Sequence, residues 1–350
     1  MKSVISLKDV QEMVRNGQDV RNLPAEAILT PSARDFLLEI ELHGARPASG
    51  APAAAEASAP AKPPTSKSPK SELEAFFNSP YCQGIKQQIA EMGHHLWQRA
   101  YVDGNGGNMS VKVGEDIVIC TPTMVSKGSL KPEDMCLVDF KGNQLLGVKK
   151  RTSEVLMHLQ IMQKQPKAVA CCHCHPPHAT GFAVAGIVPP TCMIPEYEVF
   201  SSVALAPYRT PGSPEMGKLV ADLADTHNTI LMANHGVVTW SHNNIEEAYW
   251  RMEIVEAYCK TLLVAAQLGK APNTFSSGQL KDLLKIKQSL GFVDWRYGLK
   301  ECELCDNEEW RPGVTCDVPS KEETSGAGKD PEAEAAVSAI TEQILRKLNG

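Results

Sequence analysis

The chain has 350 residues, 35 basic and 41 acidic side chains, a net charge of −6 and 6% aromatic residues. No basic block and no interleaving of arginine with aromatics is present, which argues against a nucleic-acid partner. The longest apolar stretches, such as 261–268, fall far short of the roughly 20 residues that span a bilayer, and no apolar signal core opens the chain, so a cytoplasmic protein is expected.

In chain order, Leu7, Val10, Met13 and Val14 repeat at helical spacing, with Ser6 and Asp9 as a capping pair and Gly17 as a stop. Thr30-Pro31 opens a second helix through Ile40, so residues 1–43 read as a small helical module. Residues 44–70 are almost wholly Ala, Pro, Ser, Gly and Lys, too little apolar surface to offset ordering entropy, and predict a disordered linker. The main domain is expected over 71–299. It starts with a helix at 72–99, a glycine-rich loop at 103–108 and strands at 109–113 and 117–120. A hairpin follows at 135–146, then a helix capped by Thr152 or Ser153 and ended by Pro166. After a strand at 168–175 and a helix beyond Pro176-Pro177 come strands at 229–233 and 237–240, and a long helix from Asn243-Asn244 to about Leu268. Alternating strands and helices predict a layered α/β domain.

Residues 300–330 form a tail with Cys302, Cys305 and Cys316; three cysteines and no nearby histidine fall short of a zinc motif, so free thiols are expected. Of the eleven cysteines, Cys120, Cys136, Cys171, Cys172 and Cys259 sit in apolar runs and read as buried thiols of a reducing compartment. In 331–350, Ala333, Val337, Ile340, Ile344 and Leu348 make one helical stripe, a targeting or latching helix on a tether.

The chemistry centres on Ala168–His175, a short apolar run ending in His-Cys-His. Side chains alternate along a strand, so His173 and His175 share a face roughly 6–7 Å apart, within reach of one ion. Two core histidines satisfied by hydrogen bonds fit the same pattern. Three further features bear on the choice: Asn234-His235-Gly236 at the end of an apolar strand, Glu154 in the first turn of a helix leading to the histidine strand, and hydroxyl- and glycine-rich loops at 106–110, 121–123 and 152–153 suited to anions.

Gly107-Asn108-Met109-Ser110, Cys120-Thr121-Pro122-Thr123, Thr152-Ser153-Glu154 with His158, His173-Cys174-His175, Pro211-Gly212-Ser213 and Asn234-His235-Gly236 together resemble the class II aldolase/adducin family over about residues 80–270. Within it they are similar to the zinc-dependent L-fuculose- and L-rhamnulose-1-phosphate aldolases. The resemblance implies an α/β/α domain around a mainly antiparallel sheet, and a homotetramer with sites at subunit interfaces. It implies zinc on His173, His175 and His235, Glu154 as catalytic base, and substrate phosphate on Asn108, Thr123, Thr152 and Ser153. The implied reaction cleaves a deoxyketose 1-phosphate to dihydroxyacetone phosphate and lactaldehyde, with the metal as Lewis acid. Two positions depart from the pattern. The family's phosphate-loop glycine is Met124, and the proton-donor tyrosine falls at Ile194, which leaves Glu196 as the candidate donor. The C-terminal helix resembles encapsulation peptides, and residues 28–35 resemble N-terminal segments, of bacterial microcompartment enzymes, implying a shell-protein partner and a place in the compartment lumen. The competing functions are a sugar-phosphate 4-epimerase or dehydratase of the same fold and a non-catalytic, adducin-like scaffold; Glu154 weighs against the epimerases, and the three histidines together with Glu154 weigh against the scaffold.

Overall fold

The computed structural model describes residues 59–60, 62–270, 272–300 and 303–305, and scattered positions between 4 and 37. The expected helix at 331–350, Cys302 and Cys316 lie outside the described residues. In the N-terminal module β1 (Val4–Ile5) pairs in parallel with β2 (Ile28–Leu29), and Val10, Val20 and Ala33 are buried in a small cluster.

The expected linker ends earlier than its composition indicates. Pro64 is buried, and Ser66 donates its backbone N–H and its hydroxyl to the Asp116 carboxylate, so residues 62–69 lie against the main domain. The expected first helix is two, α1 (Lys70–Phe77) and α2 (Pro80–Gln98), because Pro80 has no N–H to continue a ladder and Ser79 caps the Cys82 N–H. Then come β3 (Asn108–Lys112), β4 (Ile117–Cys120), β5 (Cys136–Asp139), β6 (Gln144–Leu146), α3 (Val155–Lys164), β7 (Ala170–Cys174), α4 (Pro177–Ala185) and α5 (Pro195–Phe200). The rest comprises β8 (Val203–Ala206), α6 (Pro214–Leu223), β9 (Thr229–Met232), β10 (Gly236–Ser241), α7 (Ile245–Gln267) and α8 (Ser277–Ser289).

Strands β3 to β10 form one sheet in the order β6-β5-β4-β3-β7-β10-β9-β8, antiparallel throughout except for the β8–β9 pair. Alternation along each strand divides the core. Val118, Cys120, Cys136, Val138, Cys171, Val238 and Trp240 face a layer made by α3 and α6, while α2, α4 and α7 cover the opposite face. The result is the expected α/β/α sandwich. Its central strand, β7, is fully buried between β3 and β10, which explains why its sequence is continuously apolar up to the histidines.

Beyond α7 the chain is held by buried charges. On α8, Lys287 Nζ donates to Asp294 Oδ2 (2.6 Å), Ser201 O (2.6 Å) and Glu198 O (3.1 Å). Arg296 grips Asp294 with Nε and Nη2 (both 2.9 Å) and reaches Glu198 Oε2 on α5 (2.6 Å). Cys305 is disulfide-bonded to Cys192, and Leu304 is buried, so the domain extends past residue 299 and Cys305 is not the free thiol expected of a loose tail. The expected buried thiols 120, 136, 171, 172 and 259 are free and buried. Removing Asp294 leaves two buried cations short of a partner; Asp294→Ala is expected to cost about 3–5 kcal/mol, read as a lower urea midpoint at unchanged slope.

Candidate metal centre and active site

His173 lies within β7 and His175 one residue beyond it, and their rings are 5.1 Å apart between centroids. His235 sits in the β9–β10 turn, where Asn234 takes a left-handed φ of 56°, and its ring lies 4.9 Å from His173 and 5.4 Å from His175. One nitrogen from each ring falls within 4.8 Å of the others, a cluster able to hold a metal ion. Gly236 makes room for it: a Cβ there would lie 2.5 Å from His175 Cδ2 and 2.8 Å from Cys174 O.

His173 and His175 each have the outer ring nitrogen occupied. His173 Nδ1 faces Val237 O at 2.8 Å and His175 Nδ1 faces Asp103 Oδ1 at 3.0 Å. Among the described residues both Nε2 atoms are buried without a hydrogen bond, although the Glu154 carboxylate stands near His173 Nε2, and this leaves them able to serve as metal ligands. Burial and the neighbouring His173 push His235 down to about 4 and also lower His175, favouring the neutral imidazoles that bind metals.

Glu154 occupies the N-cap position of α3 rather than its first turn, and its side chain caps nothing in its own helix. Its carboxylate is taken by the opposite layer, with Oε2 3.3 Å from His173 Nε2 and Oε1 3.4 Å from His235 Nε2. Burial alone would raise this carboxyl; the two histidines and the Asn108 amide outweigh it and hold it well below the usual carboxylate range. His173 shows the other side of the pair, as burial lowers it and Glu154 more than restores it.

The residues expected to receive phosphate divide. Asn108 is buried and directs Nδ2 at Glu154 Oε2 (2.9 Å), so it orients the carboxylate. Thr123 and Thr152 lie on adjacent segments joined by Thr123 N–H to Lys150 O (2.9 Å) and Thr152 N–H to Thr121 O (3.0 Å). Ser153 is exposed, and the Pro211–Ser213 turn approaches it, with a Cβ at Gly212 3.9 Å from Ser153 O. Met124 adopts φ 59° and is 79% exposed, so the position keeps the left-handed backbone that favours glycine, at a cost of about 1–2 kcal/mol for an L side chain. Glu196 stands exposed in the first turn of α5, with no hydrogen bond or ion pair among the described residues.

Sequence reasoning missed Asp103 and Lys127. The Lys127 side chain is buried with no carboxylate partner among the described residues, and burial pushes it down to about 8. No periodicity or motif marks it, since its burial arises only where two loops meet.

Residues 87–263 match the class II aldolase and adducin N-terminal domain. The chain is 35% identical over 178 residues to an L-fuculose phosphate aldolase of Methanococcus maripaludis, covering 51% of this chain and 94% of that one. It is 30% identical over 168 residues to a 3-oxo-tetronate 4-phosphate decarboxylase of Haemophilus influenzae, covering 47% and 80%. A solved L-fuculose 1-phosphate aldolase superposes with a TM-score of 0.53 at 25% identity, covering 59% and 96%. The chain belongs to the class II aldolase and adducin family. It is a lyase of the metal-dependent class.

The folded state holds the Lys127 proton less tightly than the unfolded chain, whose lysine titrates near 10.5. Between about pH 8 and that value the unfolded chain binds more protons, so Lys127 makes stability rise with pH. Relative to Lys127→Met, the parent is therefore expected to gain stability from about pH 7.5 to about pH 9.5, measured by urea unfolding.

Proposed function

We propose that this protein is a zinc-dependent aldolase that reversibly cleaves a deoxyketose 1-phosphate, L-fuculose or L-rhamnulose 1-phosphate, to dihydroxyacetone phosphate and lactaldehyde. The observation that carries the reading is the convergence of His173, His175 and His235 around the carboxylate of Glu154. Three imidazoles with one position left for substrate are the donor set of catalytic zinc. When bound, the ion supplies Lewis-acid polarisation of the substrate carbonyl and charge stabilisation of the anion left by carbon–carbon cleavage.

The chain's own residues supply the rest. In the condensation direction Glu154, ionised and oriented by Asn108, takes a proton from the carbon beside the carbonyl of dihydroxyacetone phosphate. As that carbon bonds to the aldehyde, Glu196 delivers a proton to the aldehyde oxygen; cleavage runs the steps in reverse. Thr123, Thr152 and Ser153, on neighbouring loops, receive the phosphate. The exposure of Glu196 fits a donor that acts across a subunit boundary of a homotetramer.

A second reading, decarboxylation of 3-oxo-tetronate 4-phosphate, is favoured by the similarity to the decarboxylase of Haemophilus influenzae. Loss of carbon dioxide from a 3-oxo acid also leaves a carbanion beside a carbonyl, so the same residues serve either reaction. Both reactions release dihydroxyacetone phosphate, so release of lactaldehyde from the two deoxyketose phosphates against release of carbon dioxide from the 3-oxo acid phosphate separates the readings.

His173→Ala with His175→Ala is expected to lose stoichiometric zinc. Glu154→Gln keeps the metal and loses about 10²–10⁴-fold in rate, whereas Glu196→Gln slows turnover with KM nearly intact. Full turnover in Glu154→Gln removes that residue from the chemistry.

We also propose that residues 331–350 dock on a microcompartment shell protein, supported by their apolar stripe behind a polar tether. Deleting 319–350 is expected to leave turnover unchanged and to release the enzyme from the shell fraction, followed by co-sedimentation.

A further inference from the structure

The three imidazoles are anchored in three different ways. His173 is fixed by a main-chain carbonyl of β10, Val237 O, which no side-chain substitution removes. His235 Nδ1 has no hydrogen-bond partner among the described residues, and its ring is met by Glu154 at Nε2 (3.4 Å). His175 depends on Asp103, a residue of the loop between α2 and β3 whose side chain is 82% exposed. With Nδ1–H donated to that carboxylate, the lone pair of His175 is confined to Nε2, which is buried and has no hydrogen-bond partner among the described residues.

The loop is shaped for this contact. Gly106 N–H donates to Asp103 O (2.7 Å), and a Cβ at Gly106 would lie 2.5 Å from Asp103 Oδ1 and 3.4 Å from His175 Nδ1, so only glycine leaves the carboxylate room beside the ring. Beneath the loop, Lys127 Nζ donates to Asn105 O (3.2 Å) and to Val125 O (2.9 Å), bridging the 103–108 loop to the segment that follows Thr123. Asn105 Nδ2 closes the same junction on Met124 Sδ at 3.2 Å. A buried ammonium is costly to keep without a counterion, and these two carbonyls are its hydrogen-bond acceptors among the described residues.

We propose that Asp103 and Lys127 are positioning residues for the metal: Asp103 presents His175 Nε2 to the ion, and Lys127 pegs the loop that carries Asp103. The inference rests on the metal-binding part of the reading above. It also means that the loop next to the substrate-binding segments sets part of the grip on the metal.

The test uses the full chain, stripped of metal and titrated with Co2+, read by its visible ligand-field absorption, and with Zn2+ in competition with a chromophoric chelator. Asp103→Ala is expected to melt as the parent does and to bind both ions about 10–100-fold more weakly, while Asp103→Asn, which keeps an acceptor oxygen, recovers part of the loss. Lys127→Met is expected to fold and to weaken binding in the same direction. Combined with Asp103→Ala it adds little, because both act through one arm. Should Lys127→Met not fold, Lys127→Gln is read in its place. Unchanged metal affinity in Asp103→Ala overturns the proposal, as does a parent that binds neither ion; unchanged affinity in the Lys127 variant removes the peg. Affinity is read without sugar phosphate, so a parent that cleaves none of the phosphates loses the proposed activity and leaves this result standing.

Discussion

The site depends on the antiparallel register of β7 between two neighbours. His173 pairs with Asn108 on one side and Val238 on the other. That register sets Asn108 beside the histidine on the face where α3 presents Glu154. A slip of one residue in either ladder would turn the cluster to the α7 face, since side chains alternate with period two. The continuous burial of β7 is what makes such a slip costly. The cluster of three histidines and Glu154 is therefore secured in part by packing in the Cys171, Val238 and Trp240 row against α3 and α6.

A competition for one carboxylate follows from this arrangement. A glutamate at a helix N-cap position ordinarily serves its own helix, through free N–H groups and the dipole. Glu154 is drawn instead to His173, His235 and Asn108 across the layer boundary. The helix start is left without a side-chain cap, a small local loss set against a strong, partly buried charge interaction. Asp103 and His175 repeat the logic at the rim, where the partner comes from a loop and is open to solvent.

The segment beyond α7 is tied on by buried charges as well as by a small apolar cluster around Leu280, Leu284 and Leu304 and the Cys192–Cys305 disulfide. Two cations and two carboxylates, Lys287, Arg296, Glu198 and Asp294, are buried together and hydrogen-bonded to each other and to main-chain carbonyls. Such a set is sensitive to geometry, because each charge is tolerable only while its partner is in place. It fixes α5, the helix that carries Glu196, so the placement of that side chain depends on residues about one hundred positions later.

The layered α/β class, the buried thiols and the pairing of His173 with His175 were legible in the sequence because each rests on local periodicity: apolar runs of strand length, alternation along one strand, helices bounded by caps. His235 and Glu154 were legible only through their place beside strand and helix ends and through family resemblance. The tertiary structure alone decided which partners those side chains chose. It turned Asn108 toward Glu154, moved Glu154 to the cap position, brought Cys192 to Cys305 and buried Lys127 between two loops. It also split the first helix at Pro80 and laid residues 62–69 against Asp116, although composition alone made the latter look like linker. The physical reason is common to all of these. Local sequence sets backbone preference and the face a side chain takes, whereas hydrogen-bond and charge partners are chosen by competition among groups that only the folded chain brings together.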